Sequence, residues 1–263
     1  MAAPRGFYER TLRYLREVAD PEALKDKVVL VGGVGTIGSR LVRNLARFNF
    51  KKIIIIDIDY VGPENVGYQC YHTEEIGAPK VEALSKRFRR YHPWTEVQGV
   101  YLEVFTPSGL SSLSELKKFA ELVRESDVVV TAFDTLPPRA TALLLAVKYG
   151  KKYVDVGLGS TRGYVKFLKD GYCPICSKVW EEKVTYYTNP NLAEVVAALG
   201  AQAALRAALG MDWPSEVHVN LEEPLKAYMA SDVKNDGCPL CSEEVRALAI
   251  EEVPNYLIKN VYQ

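Results

Sequence analysis

The stretch over residues 27–80 allows few folds. An apolar run at residues 27–31 meets the sequence GVGTIG, which contains Gly33, Gly35 and Gly38, and a helical pattern follows over residues 39–48. A second apolar run, residues 53–56, ends at Asp57. That is about twenty residues past the glycines, the separation at which a strand-end carboxylate can accept hydrogen bonds from ribose hydroxyls. Strand, tight turn, helix, strand and acid in this order describe a nucleotide-binding βαβ unit. Gly33 allows the turn, Gly35 lets the backbone approach a phosphate, and Gly38 lets the helix pack close to the strand. The helix start then offers its free N–H groups and positive dipole end to an anion. In the plainer alternative the three glycines serve only the packing of an ordinary strand-to-helix turn.

Asp59, Asn65 and Gln69 fall in the turn-rich segment that leaves the carboxyl end of the second strand, where loops of a parallel sheet line the ligand crevice. Pro79 suits the first position of a helix running to about Tyr91. Lys80 then sits near a helix N-terminus, where the dipole disfavours a cation unless an anionic ligand offsets it. Further strands are predicted at residues 97–104, 127–132, 152–156 and 163–168, with helices at 113–124 and 137–148. Asp134, just beyond the buried run 127–132, is a second strand-end carboxylate. Strands alternating with helices over this span predict a doubly wound, Rossmann-like α/β sheet, mostly parallel, in a single domain over residues 1–263.

Ahead of this unit, residues 7–18, or 5–19 at their widest, pattern as a helix. Phe7, Leu12, Leu15 and Val18 are its apolar positions, and Arg10, Arg13 and Arg16 form a basic stripe that reads most simply as a solvated face. Residues 191–209 form an alanine-rich helix, apolar around most of its surface, which needs cover from the sheet or from a second subunit. Residues 243–263 read as a helix followed by a polar or strand-like tail.

Lysine plus arginine and aspartate plus glutamate number 33 each in the 263 residues, so no overall charge favours nucleic acid or an anionic membrane surface. No apolar run approaches the roughly twenty residues that span a bilayer, and the first residues lack the order of a signal peptide. The chain reads as cytoplasmic. Four of its five cysteines form two pairs, CPIC with Cys173 and Cys176 and CPLC with Cys238 and Cys241. Four thiolates in two tight turns suit a tetrahedral, structural zinc ion; two redox-active pairs are the alternative. Cys70 stands apart.

The glycine loop, Asp57, Asp59, Asn65 and Gln69, the turn into Lys80, Asp134 after its buried strand and the paired cysteines together resemble the MoeB/ThiF branch of the ubiquitin-activating enzyme superfamily. The resemblance runs over about residues 7–241. It implies binding of ATP and magnesium and adenylation of the C-terminal glycine of a small ubiquitin-fold carrier protein ending in Gly-Gly. Asp57 would hold the ribose, Asn65 and Lys80 the phosphates, and Asp134 magnesium. Arg10 would reach the phosphates of the partner subunit's ATP in a homodimer, and zinc on the four cysteines would be structural.

Two departures from the family stand out. Tyr68 occupies the position before Gln69 where the family usually has arginine, which removes one cation from the phosphate side. The segment between the cysteine pairs contains no further cysteine, so a standard thioester step is not expected, and Cys70 reads as a small buried hydrophobe sooner than a nucleophile. A catalytically weak relative acting as a partner-binding scaffold is therefore one alternative. An NAD(P)-dependent oxidoreductase is another, because the glycine loop and Asp57 alone would serve that cofactor too.

Overall fold

The computed structural model describes residues 9–104, 112–175, 188–221, 226–230 and 238–261. One eight-stranded sheet runs through them in the order β3-β2-β1-β4-β5-β6-β7-β8. Its strands are β1 (Val28–Gly32), β2 (Lys52–Asp57), β3 (Glu96–Tyr101), β4 (Val128–Thr131), β5 (Lys152–Leu158), β6 (Arg162–Phe167), β7 (Glu216–Asn220) and β8 (Lys226–Ala230). The helices are α1 (Glu9–Val18), α2 (Gly38–Leu45), α3 (Lys80–Tyr91), α4 (Leu113–Glu125), α5 (Leu136–Lys148), α6 (Pro190–Ala208), α7 (Glu243–Ala247) and α8 (Val253–Asn260).

The inner strands β1 and β4 are buried at every position. Their continuous valine and leucine runs follow from that, because a parallel strand covered on both faces has no solvent side to make polar. Val29, Val31, Ile53 and Ile55 pack under α2, α3 and α6 in one apolar layer; Leu30, Ile54, Ile56 and Val129 face α4, α5 and the C-terminal helices in the other. No helix among the described residues is long and apolar enough to cross a membrane.

The parallel, doubly wound pattern holds from β3 to β5, and the sheet then changes character. β5, β6, β7 and β8 pair antiparallel in succession, so the sheet is parallel in only four of its seven pairings. In β7, Val217 and Val219 turn into the core while Glu216, His218 and Asn220 lie on the other face. That two-residue alternation is the mark of a strand with one apolar face.

One further expectation is corrected, and one alternative is decided. The C-terminal segment holds a second helix, α8, where a polar or strand-like tail was expected. Val253 and Leu257, one helical turn apart, are both fully buried, and that spacing outweighs the strand preference of its branched and aromatic residues. The alanine-rich α6 needs no second subunit for cover, because α2, β4, β5 and β6 all pack on it and only Val195, Ala198 and its first two residues stay exposed. The helix begins at Pro190, with the Asn189 side chain accepting from Asn191 N–H as its cap.

Because Leu257 is sealed against the α4–α5 layer, Leu257→Ala should destabilise the protein by about 2–5 kcal/mol. Urea unfolding measures this, and an unchanged midpoint would mean that α8 is not part of the core.

Candidate functional site

The crevice is assembled where β1, β2 and β4 end. Gly33 has φ +82°, and a Cβ there would lie 2.8 Å from the carbonyl oxygen of Ala132 beyond β4. Gly38 is more constrained still: a Cβ would lie 1.8 Å from the Gly33 carbonyl oxygen, so only glycine lets α2 start this close to β1. Gly35 differs from both. A Cβ there would meet only Gln69 Nε2 at 3.9 Å, so packing does not demand a glycine and the space above the loop stays open.

Asp57 closes the loop from the side. Its carboxylate accepts Val34 N–H at 2.7 Å and Asp59 N–H at 2.9 Å. Burial pushes its carboxyl pKa above the usual range, while the two N–H donors pull it back. Two acceptor oxygens with lone pairs to spare suit a pair of hydroxyl donors.

Lys80 is 5% exposed. Its Nζ donates to Asp59 Oδ2 at 2.9 Å and its backbone N–H to the Asp59 carbonyl, also at 2.9 Å. Asp59 thus supplies the negative charge that a cation at the first residue of α3 requires. The Asp59 side chain is itself 61% exposed, so the Lys80 charge lies at the crevice wall and not deep in the core.

Asn65 is buried, and its side-chain oxygen accepts Gly62 N–H at 2.9 Å, which leaves its NH2 group as the donor for a ligand. Gln69 brings a buried Oε1 with no hydrogen-bond partner to the neighbourhood of Gly35. An unpaired buried acceptor beside an open glycine fits a cradle for a polar ligand. Asp134 is exposed on the turn after β4.

Gly33, Gly35, Gly38, Asp57, Asp59, Asn65, Gln69 and Lys80 therefore converge on one crevice, with Asp134 on its β4 side. Arg10 is not brought there. It is exposed on α1, which packs on the turns at Pro21–Leu24 and Ala46–Phe48, before β1 and β2 and so at the opposite edge of the sheet. Cys173, Cys238 and Cys241 bring their sulfurs within 4.8 Å of one another; Cys176 lies outside the described residues.

Tyr68 does more than omit a cation. Its hydroxyl donates to the Thr188 carbonyl and accepts Thr188 N–H, both at 2.8 Å, which ties the crevice loop to the segment entering α6. Cys70 is half-buried, and its N–H donates to Ser39 Oγ at 3.2 Å.

Three supporting residues escaped the sequence reading. Tyr71 donates its hydroxyl to the Val34 carbonyl at 2.7 Å. Arg87 pairs with Glu75 and donates to the Cys70 carbonyl. Arg139 donates to the Phe133 carbonyl, fixing the residue before Asp134, and to Asp155 Oδ1 at 2.6 Å. Burial, the largest influence, works against the Arg139 charge, but Asp155, Tyr164 and Tyr153 together outweigh it and raise the pKa above the ordinary arginine value. The signal was available: Arg139 is the one charge ahead of the last residue of an apolar helix, and Asp155 is a lone acid inside a strand of Tyr153, Val154 and Val156.

The family model described as the ThiF family matches residues 8–239. The chain belongs to the ThiF family. It is 28% identical over 258 residues to a sulfur carrier protein adenylyltransferase of Thermus thermophilus, across 88% of this chain and 91% of the relative. It is also 28% identical over 255 residues to the molybdopterin-synthase adenylyltransferase of Escherichia coli, across 89% and 98%. Other ThiF-like relatives are longer: the chain spans 41% of the ubiquitin-like modifier-activating enzyme 5 of Drosophila ananassae, at 24% identity over 166 residues and 61% of this chain. In fold it matches a crystal structure of E. coli MccB with ATP at a TM-score of 0.74 and 20% identity, over 90% of this chain and 75% of MccB.

Gly38→Ala should lower stability by about 1–3 kcal/mol or more, since its neighbour is backbone that cannot rotate away. Gly35→Ala should leave the urea midpoint nearly unchanged. A reversed order in the two midpoints would contradict the packing described.

Proposed function

We propose that this chain adenylates the C-terminal glycine of a small ubiquitin-fold sulfur-carrier or modifier protein, using ATP and magnesium. The observation that carries the reading is the buried Lys80 ammonium, held by Asp59 beside Asp57 and the open glycine loop. It sits where a triphosphate, with more negative charge than a dinucleotide's pyrophosphate, most needs a cation. Hydride transfer to a nicotinamide has no comparable use for it. Membership in a family whose relatives are named adenylyltransferases supports the same reading.

In the reaction, a carboxylate oxygen of the carrier attacks the α-phosphorus of ATP. A new phosphorus–oxygen bond forms, the bond to the bridging α–β oxygen breaks, and pyrophosphate leaves with the electron pair. No proton moves, because the nucleophile is already ionised at neutral pH, so the chain's work is orientation and charge stabilisation. Asp57 accepts the ribose hydroxyls, Asn65 donates its NH2 group to a phosphate oxygen, and Lys80 offsets charge as it builds. Gln69 offers its free acceptor to the same ligand. Asp134, steadied through Phe133 by Arg139, is the carboxylate that would hold magnesium, a hard cation that takes oxygen ligands and neutralises phosphate charge when bound.

Arg10 lies at the end of the strands away from its own crevice, so the phosphate role that the family resemblance implies for it would be filled in the crevice of another copy, in a homodimer with arginines exchanged between subunits. The three clustered sulfurs are thiolate donors at a spacing compatible with zinc, and Cys176 would supply the fourth. A cytoplasmic setting agrees with thiols kept for a metal.

One observation favours a second reading, a partner-binding scaffold with little or no turnover. The Tyr68 hydroxyl is engaged by the Thr188 backbone, so the position where the family resemblance implies a phosphate-side arginine is committed to structure.

Carrier-dependent exchange of pyrophosphate into ATP separates the two. Wild type should exchange, and Lys80→Ala and Asp134→Ala should each lower the rate at least about a hundredfold, as removal of a charge-stabilising group does. ATP binding without exchange, given verified carriers, would favour the scaffold. Elemental analysis of protein purified under reducing, metal-replete conditions should find about one zinc per chain; disulfides and no metal would sink the zinc assignment.

A further inference from the structure

The crevice has an aromatic edge to which no role has been given. Tyr60 and Tyr101 are 55% and 49% exposed, with ring centroids 5.8 Å apart and planes inclined by 60°. Ile58, two residues before Tyr60, is 43% exposed. Paired aromatic rings with half their surface in water are costly to display on a monomer without a use. Neither residue hangs on a loose loop. Tyr101 ends β3 and is paired in register with Asp57 at the end of β2. Tyr60 forms an isolated bridge with Pro79, and the flanking Val61 N–H donates to the Ala78 carbonyl at 2.9 Å.

Strand order fixes what this rim faces. Phosphates belong at the glycine loop, which leaves β1. The ribose belongs at Asp57, which ends β2. A nucleotide laid from β1 past β2 continues outward to β3, and the first side chain at the end of β3 is Tyr101.

We propose that Tyr101, braced by Tyr60, is the surface against which the purine base of the nucleotide rests. The inference depends on the adenylation reading for the identity of its ligand. An aromatic face stacks on a base without reading its edge, so the rim contributes affinity and orientation and leaves the purine's edge groups unread. Holding the base also fixes the direction in which the α-phosphorus points, which makes Tyr101 a positioning residue.

The test is calorimetric titration of wild type, Tyr101→Ala, Tyr60→Ala and Tyr101→Phe with magnesium ATP and with inorganic tripolyphosphate. Tyr101→Ala should lose about tenfold in ATP affinity and nothing toward tripolyphosphate, Tyr60→Ala should lose less, and Tyr101→Phe should bind as wild type does. ATP affinity unchanged in both alanine variants would overturn the proposal, and so would equal losses for ATP and tripolyphosphate, which would signal a distorted site. Photolabelling of wild type with an azidopurine nucleotide gives a check free of mutation: label should appear at residues 58–60 or at Tyr101, and label confined to other peptides overturns the assignment. Wild type that binds no ATP would remove this inference and the adenylation reading together, whereas tight ATP binding that ignores the tyrosines removes this inference alone.

Discussion

A single carboxylate sets the geometry on which the rest of the crevice depends. Asp57 is the end of one strand and Val34 the loop after its neighbour, and the 2.7 Å hydrogen bond between them fixes the glycine turn relative to β2. The same carboxylate holds Asp59 N–H, and Asp59 in turn holds Lys80. Tyr71 pins Val34 from its other side through the carbonyl. Loop, acid and cation therefore form one connected network, and displacing any member moves the others. Such pre-organisation is what a reaction driven by charge stabilisation requires, since donors already aimed need no reorganisation when charge develops.

The sheet beyond β4 has a different physics from the apolar half. Thr131, Asp155, Lys166 and Glu216 form a row across β4, β5, β6 and β7, all of them buried. The row survives because each member is paired. Arg139 and Thr131 serve Asp155, while Tyr172 and His218 serve Glu216 alongside Lys166. Burial lowers the Lys166 pKa and Glu216 holds it up; burial would raise that of Glu216, and its hydrogen bonds from Tyr172 and His218 bring it down. Removing one partner would strand a buried charge, the costly case. Tyr172 precedes Cys173, so this row also anchors the start of the cysteine cluster to the sheet.

How much of this the sequence revealed divides by range. The β1–α2–β2 unit was readable because its signals are local: glycines at fixed offsets, apolar runs and an acid at the expected distance. Asp59 and Lys80 were legible as site residues, but not as each other's partners, since twenty-one residues and a turn separate them. The change from parallel to antiparallel pairing after β5 was missed although only residues 159–161 join β5 to β6, too few for a parallel crossover, and β7, five residues long and half polar, was not read as a strand. Arg139 and Asp155 went unread because each looks like an error in an apolar element until the other is seen beside it. Two cysteine pairs predicted a cluster of four; three meet among the described residues, and Cys176 is not among them.

The bond between Tyr68 and Thr188 joins positions 120 apart in the chain, and this has a consequence for how the molecule comes together. Contacts of such separation form only after the intervening chain has condensed, since the entropy of closing so long a loop is otherwise uncompensated. The crevice loop is thus not fully secured when the local βαβ unit first assembles. It is fastened from a distance, by the entrance to α6, once β3 has joined β2 and β4, β5 and β6 have added beyond β1. A nascent or half-folded chain can own the glycine loop and still lack the finished crevice, so that nucleotide meets a complete site only on a complete fold.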